Sequence, residues 1–320
     1  YFSPTSTIIR GLCLKATTVL TARGCPYHCS FCQSEQLTKS QGDTKQVRFH
    51  SPQYIIEEID FLIRNFSLEG LLFAEDIFSL SHQRTIEICQ LLINKGLHKK
   101  LKWAANLRPD SIDKGLLELM RGAGCVRIIL GCESGSQQTL NKTGKELDLE
   151  VNYQAVSLAK RIGISCEVNI ILGFPGEKKE DVLNTLKFLK QSSPDRINRG
   201  KLYPIPGTRI YRELVNNNAI KRLQSWDELF DKYVLSDFTF ANISQRVFSR
   251  LLAKIDREAT LPTNYMFTIK SNLKRYPTLA IKQFILMFIH CTTLYFNLNI
   301  YRFLRRAAGA LRIKSRYAFE

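Results

Sequence analysis

Three cysteines fall within eight residues: Cys25, Cys29 and Cys32 stand as C-x-x-x-C-x-x-C in the string TARGCPYHCSFCQ. Thiolates this close can serve one metal centre only if the backbone curls around it, and Gly24 and Pro26 permit such a curl. Structural zinc wants four protein ligands. No second C-x-x-C pair is present, so zinc would have to recruit His28 or His50. A [4Fe-4S] cluster suits the donors better, with three irons on thiolates and the fourth open to a substrate or cofactor. An open iron implies chemistry rather than electron storage. Of the other cysteines, Cys13, Cys89, Cys125, Cys132, Cys166 and Cys291 sit mostly in apolar runs, where a thiol is a small hydrophobe. Scattered, odd in number and without a disulfide pattern, the set of nine suits a reducing compartment and predicts a cytoplasmic chain.

The elements that must position the cysteine loop can be read from periodicity. Short apolar runs recur at Thr17–Ala22, Gly70–Ala74, Leu101–Asn106, Val126–Gly131, Glu167–Gly173 and Asn198–Gly207. Their length and β-branched content predict strands buried on both faces. Between them lie stretches with apolar residues three and four apart, beginning near Pro52, Ser81, Ser111, Asp148 and Lys178. Ser51 before Pro52 is a start signal, as is Asp110 or Ser111 at the third helix; Gly96, Gly124 and Gly163 are stop signals. Six βα units imply parallel strands with right-handed crossovers, short of the eight of a closed barrel. The expected fold is α/β: a partial (β/α)6 TIM-like barrel followed by a helical C-terminal extension. The cysteine loop follows the first strand, so the chemistry is expected at the C-terminal strand ends.

The 320 residues and 36.8 kDa allow a substantial core. With 44% hydrophobic and 23% charged residues and a mean hydropathy of −0.15, the chain is neither intrinsically disordered nor a polytopic membrane protein. The net charge of +17 is uneven: Lys270 to Glu320 holds ten basic residues and one acidic. We divide the chain into a lead-in (1–16), a core barrel (17–212), a helical extension (213–269) with Trp226, Phe230 and Tyr233 as packing residues, and a basic, apolar tail (270–320). Within the tail, Phe284 to Tyr301 is 18 residues without a formal charge, flanked by arginines and lysines. This segment reads as a docked helix, an interfacial membrane helix or a short span, and membrane contact is expected over 279–316. No platform of interleaved aromatic and basic residues argues for nucleic acid. The chain shows no secretory signal, and its start at Tyr1 suggests a piece of a longer protein.

With the third cysteine preceded by Phe31, the C-x-x-x-C-x-aromatic-C loop after the first strand of a partial barrel resembles the radical S-adenosylmethionine (SAM) superfamily, over roughly Thr17 to Thr208. The resemblance implies a [4Fe-4S] cluster on Cys25, Cys29 and Cys32. Its open iron chelates SAM, which is reductively cleaved to a 5′-deoxyadenosyl radical that abstracts a substrate hydrogen. It places Phe31 near the adenine, and Glu75 or Asp76, after the second strand, at the SAM amino group. An ammonium needs such acceptors. It places Glu133 and Ser134 near the ribose and methionine, and Gly173, Pro175 and Gly176 under the adenine. Glu177 is one residue off the family's commoner spacing and receives no contact. Arg108 ends the third strand, as a carboxylate clamp or as an ion-pair partner of Asp110 or Asp113.

The set RGCPYHCSFC, FAEDIF, NLRPD, GCESGS, GFPGE and PIPGT further resembles the subgroup that carries an upstream cobalamin-binding domain. That subgroup includes anaerobic magnesium-protoporphyrin ester cyclases, hopanoid-modifying enzymes and radical methyltransferases. No D-x-H-x-x-G cobalamin signature occurs in the chain, so cobalamin would come through a domain outside it. The resemblance implies methylation, cyclisation or oxidation of a small molecule, and an electron donor such as ferredoxin or flavodoxin. The greasy basic tail adds the expectation of a lipophilic substrate. Three rivals remain: a methylthiotransferase-like enzyme, a coproporphyrinogen-dehydrogenase-like enzyme, and a non-enzymatic, metal-stabilised interaction module.

Overall fold

In the computed structural model, residues 15–34, 47–234, 238–260, 262–264, 266, 281, 284 and 285 are described. The strands are β1 (Ala16–Val19), β2 (Ala22–Arg23), β3 (Arg48–Phe49), β4 (Gly70–Phe73), β5 (Lys102–Leu107), β6 (Cys125–Glu133), β7 (Ser165–Leu172) and β8 (Arg196–Lys201). Six of them form one sheet in the order β1-β4-β5-β6-β7-β8, every pair parallel. Among the described residues β8 does not pair back to β1, so the barrel is open, as expected. β2 and β3 form a separate antiparallel ribbon that was not foreseen.

The principal helices are α1 (Pro52–Phe66), α2 (His82–Asn94), α3 (Lys114–Gly122), α4 (Gln137–Thr143), α5 (Leu149–Ile162), α6 (Lys179–Ser192), α7 (Arg209–Asn216), α8 (Trp226–Leu229) and α9 (Gln245–Ile255). In α1, Ser51 accepts from Tyr54 N at 3.2 Å, Pro52 opens the first turn, and Ile55, Ile56, Ile59 and Ile63 form the buried stripe. The third helix begins later than expected. Asp113 is its cap, accepting from Leu116 N at 2.9 Å, because Asp110 is taken by Arg108 and Pro109–Ser111 forms a short 3-10 turn. Gly96, Gly124 and Gly163 all stand at positive φ after helix ends.

Between sheet and helices lies one large core, centred on the stacked rings of Phe73 and Phe78 with Trp103 against both. A smaller core of Phe174, Leu202, Ile210, Tyr211, Leu214, Ile220, Leu229 and Tyr233 sits on α7 and the segments beyond it. The face of the sheet away from that core carries buried charge as well: Glu167 on β7 lies 3.8 Å from Arg127 Nη1 and 3.3 Å from Arg196 Nε. β8 starts two residues before the apolar run that announced it, because its charged residues find partners in Glu167 and, for Arg199, in Asp256 at 2.6 Å.

Tyr233 packs in the smaller core as expected, whereas Trp226 is 60% exposed. The side chain of Phe230 lies outside the described residues, as do Cys13, Cys291, the lead-in before Lys15 and nearly all of the basic tail. Among the described residues no helix is long and apolar enough to cross a membrane.

Candidate active site

β1 delivers the chain to the C-terminal edge of the sheet, and the β2–β3 ribbon turns it into the cysteine loop through Gly24 at φ +96°. Ser30 anchors that loop on both sides. Its N–H donates to Thr143 O at 2.7 Å, at the end of α4, and its carbonyl accepts from Ile210 N at 2.9 Å, at the start of α7. Gly144, at φ +65°, leaves room for the loop, since a Cβ there would lie 3.2 Å from His28 O. Within the loop Cys32 N donates to Cys29 O at 3.1 Å, and Ser34 N donates to Cys32 Sγ at 3.4 Å.

All three thiols are half-buried. Burial pushes Cys29 up to about 11, opposed by the Lys145 ammonium and reinforced by Glu133 and Cys32. Burial also raises Cys25; the Tyr27 backbone N–H opposes that rise and Asp76 adds to it. The donor set fits an iron–sulfur cluster: three soft sulfurs on one curled, anchored loop with a backbone N–H already turned to one of them. His50 is stacked on Tyr54, with ring centroids 4.9 Å apart. Among the described residues no three His, Cys, Asp or Glu side chains, the three thiols included, converge on a preformed single-ion site.

The acidic pair after β4 separates into two environments. Glu75 is buried, bonded to the Thr21 hydroxyl, and its carboxyl is raised by desolvation. Asp76 is exposed, and its charge adds to the rise at Cys25. Arg108 pairs with Asp110 at 2.7 Å, donates to Lys145 O and lies over the Tyr27 ring. Asp113 pairs with His82 instead.

At the end of β6, where the register shifts, Glu133 stands at φ +62°, in the left-handed region that is uncommon for a non-glycine residue. Its carboxylate meets Lys145 Nζ at 2.6 Å, and both residues are buried. Ser134 is fully buried, its hydroxyl 3.2 Å from Thr185 Oγ1 and accepting from Ser136 N, so it joins the loop to α6.

The GFPGE loop after β7 is closed by its own last residue. Glu177 Oε2 accepts from Gly173 N at 2.6 Å, and Gly173 and Gly176 both take positive φ. Burial raises the Glu177 carboxyl to about 7 although the Gly173 N–H opposes it. Phe174 then meets Phe31 edge-on, with centroids 5.8 Å apart. Glu177, named in the sequence but given no contact, closes the loop, and Lys145 is a structural residue that sequence reasoning missed. Lys145 lies in the polar string TGKE, which reads as solvated, and only its burial singles it out.

The profile of the radical SAM superfamily matches residues 19–189. An uncharacterised methyltransferase of Pyrococcus horikoshii is 32% identical over 202 residues, covering 63% of this chain and 42% of that protein. The anaerobic magnesium-protoporphyrin IX monomethyl ester cyclase of Cereibacter sphaeroides is 31% identical over 195 residues, covering 60% and 31%. The chain thus spans about a third to two fifths of the length of these curated relatives. Among solved structures, the cobalamin-dependent SAM radical enzyme OxsB superposes with a TM-score of 0.63 at 21% identity, over 88% of this chain and 46% of that one. The radical SAM methyltransferase TsrM of Kitasatospora setae gives 0.57 at 19% identity, over 65% and 40%. The last two likenesses concern the fold. The profile spans more than half of the chain and contains the cysteine loop, all of β4 to β7 and the GFPGE loop: the chain belongs to the radical SAM superfamily.

Proposed function

We propose that Cys25, Cys29 and Cys32 hold a [4Fe-4S] cluster with one iron open to SAM, and that the chain is the core of an enzyme that methylates or cyclises a lipophilic small molecule. When bound, the cluster supplies the electron that cleaves SAM to the 5′-deoxyadenosyl radical for hydrogen abstraction. The chain binds, orients and shields. Asp76, exposed beside Cys25, accepts from the SAM ammonium. Glu75 braces that turn from behind through Thr21. Glu133 offers its carboxylate to the ribose hydroxyls, and Ser134 fixes the turn that presents it. Gly173, Pro175 and Gly176 bring backbone close to the adenine, with Phe31 packed beside it. In this reading residues 17–212 carry the cofactor chemistry.

The observation that supports this most directly is the meeting of the cysteine loop and the GFPGE loop, through Phe31 and Phe174, at the C-terminal mouth of a parallel sheet. Ligands bind at that edge in βα architectures. Anaerobic reconstitution with iron and sulfide tests it by electron paramagnetic resonance. The reduced cluster's spectrum should shift when SAM is added. A fully ligated centre, blind to SAM, would instead favour the metal-stabilised module.

Relatives named as methyltransferase and cyclase, and a superposable cobalamin-dependent enzyme, support cobalamin carried by chain outside these residues, with methyl transfer as the reaction. Without cobalamin the radical would serve cyclisation or oxidation. A ferredoxin or flavodoxin would supply the electron. The basic, apolar tail over 279–316 supports a cytoplasmic enzyme that works at a membrane surface on a lipophilic substrate. Flotation with anionic liposomes should carry the chain upward, and recovery in the soluble fraction would refute the membrane contact.

A further inference from the structure

Arg108 stands at the end of β5, 3% exposed, with its guanidinium engaged on three sides. Nε donates to Asp110 at 2.7 Å and 3.0 Å, and Nη2 donates to the carbonyl of Lys145. Its carbon lies 3.9 Å from the centroid of the Tyr27 ring. Tyr27 stands between Cys25 and Cys29. The residue whose carbonyl Arg108 holds, Lys145, turns its own ammonium to Glu133 at 2.6 Å and to Gly131 O at 2.5 Å. Of the two cations, Arg108 is the one whose contact reaches the cysteine loop, through the Tyr27 ring.

We propose that Arg108 is a positioning residue for the cysteine loop. Its guanidinium, clamped by Asp110, pins the Tyr27 ring and fixes the curl between Cys25 and Cys29, and its charge favours the reduced state of a cluster held there. The second half rests on the [4Fe-4S] reading above. The physical basis is plain. A planar cation over an aromatic face resists sliding of the ring, and a buried charge acts at low dielectric on the extra electron of a reduced cluster. A lysine keeps the charge but has neither the fork for Asp110 nor the flat face for Tyr27.

The test compares wild type with R108K, R108Q and Y27L. Hydrogen exchange over residues 24–33 of the metal-free chain reads the positioning half. Iron and sulfide per chain and the midpoint potential, by redox titration without SAM, read the electrostatic half. We expect exchange across the loop to rise several-fold in R108K, R108Q and Y27L, with cluster loading falling in step. The midpoint should move to more negative values in R108Q while staying near wild type in R108K and Y27L. Exchange unchanged in R108Q and Y27L would overturn the positioning role. A midpoint in R108Q equal to wild type would overturn the electrostatic one, and weakened SAM binding at unchanged exchange would mark Arg108 as a carboxylate clamp instead. Tyr27 is only half-buried, so Y27L keeps the test decisive if R108Q does not fold. Were wild type to take up no cluster at all, the [4Fe-4S] reading and with it the electrostatic half would fail, while the exchange measurement would still judge the loop's support.

Discussion

Phe31 and Phe174 meet with ring centroids 5.8 Å apart and planes at 72°, joining the loop that carries the cysteines to the loop that follows β7. Such edge-to-face pairs add about 0.5–1.5 kcal/mol beyond the area they bury. Here the pair also fixes the distance between two loops that belong to different βα units.

Phe174→Ala should lower stability by about 3–5 kcal/mol, because the ring is fully buried in the smaller core. Phe31→Leu, at a half-buried position, should cost under about 1.5 kcal/mol and weaken SAM binding more than it weakens the fold. Urea unfolding and calorimetric SAM titration of the two variants separate the effects. Equal stability of Phe174→Ala and wild type would contradict the packing described.

Glu177 makes stability depend on pH in a direction opposite to that of a salt-bridged carboxylate. Its folded value is raised by burial from 4.5 to about 7, so the folded state holds the proton more tightly than the unfolded chain does. The contribution is fully present below pH 4.5 and is lost as pH rises through 7, and amounts to on the order of 3 kcal/mol. Glu177→Gln keeps an acceptor for Gly173 N and removes the titration. Unfolding free energies of wild type and variant at pH 5, 6 and 7.5 should diverge steadily; parallel profiles would refute the assignment.

Lys145→Met should cost about 3–5 kcal/mol by leaving the Glu133 carboxylate buried and unpaired, whereas removing both charges in Lys145→Met with Glu133→Gln should recover most of that. A double-mutant cycle by denaturant measures the coupling. Additive single effects would mean that the 2.6 Å contact carries no energy.

The sheet was legible because β4, β5, β6 and β7 are largely buried, and such strands write nearly continuous apolar runs. β8 was legible only in part: Arg196 and Ile197 precede the run that announced it, and the charge of Arg196 is met by Glu167 from elsewhere in the chain. The β2–β3 ribbon left no trace, since two residues a side carry no period. At the site, the cysteine spacing and the glycines of GFPGE are local features and could be read directly. The burial of Glu75 beside an exposed Asp76 could not, because it depends on Thr21, fifty-four residues before Glu75. Lys145 was invisible for the same reason: its role is set by Glu133 on a strand end, not by its neighbours in sequence.

The most direct measurement is 5′-deoxyadenosine formed from SAM by the anaerobically reconstituted chain under a strong reductant, compared with Cys29→Ala. Wild type should bind iron and sulfide together and release the nucleoside, while Cys29→Ala should lose the cluster and the product. Nucleoside release undiminished in Cys29→Ala, or a wild-type chain that takes up zinc and no sulfide, would contradict the account.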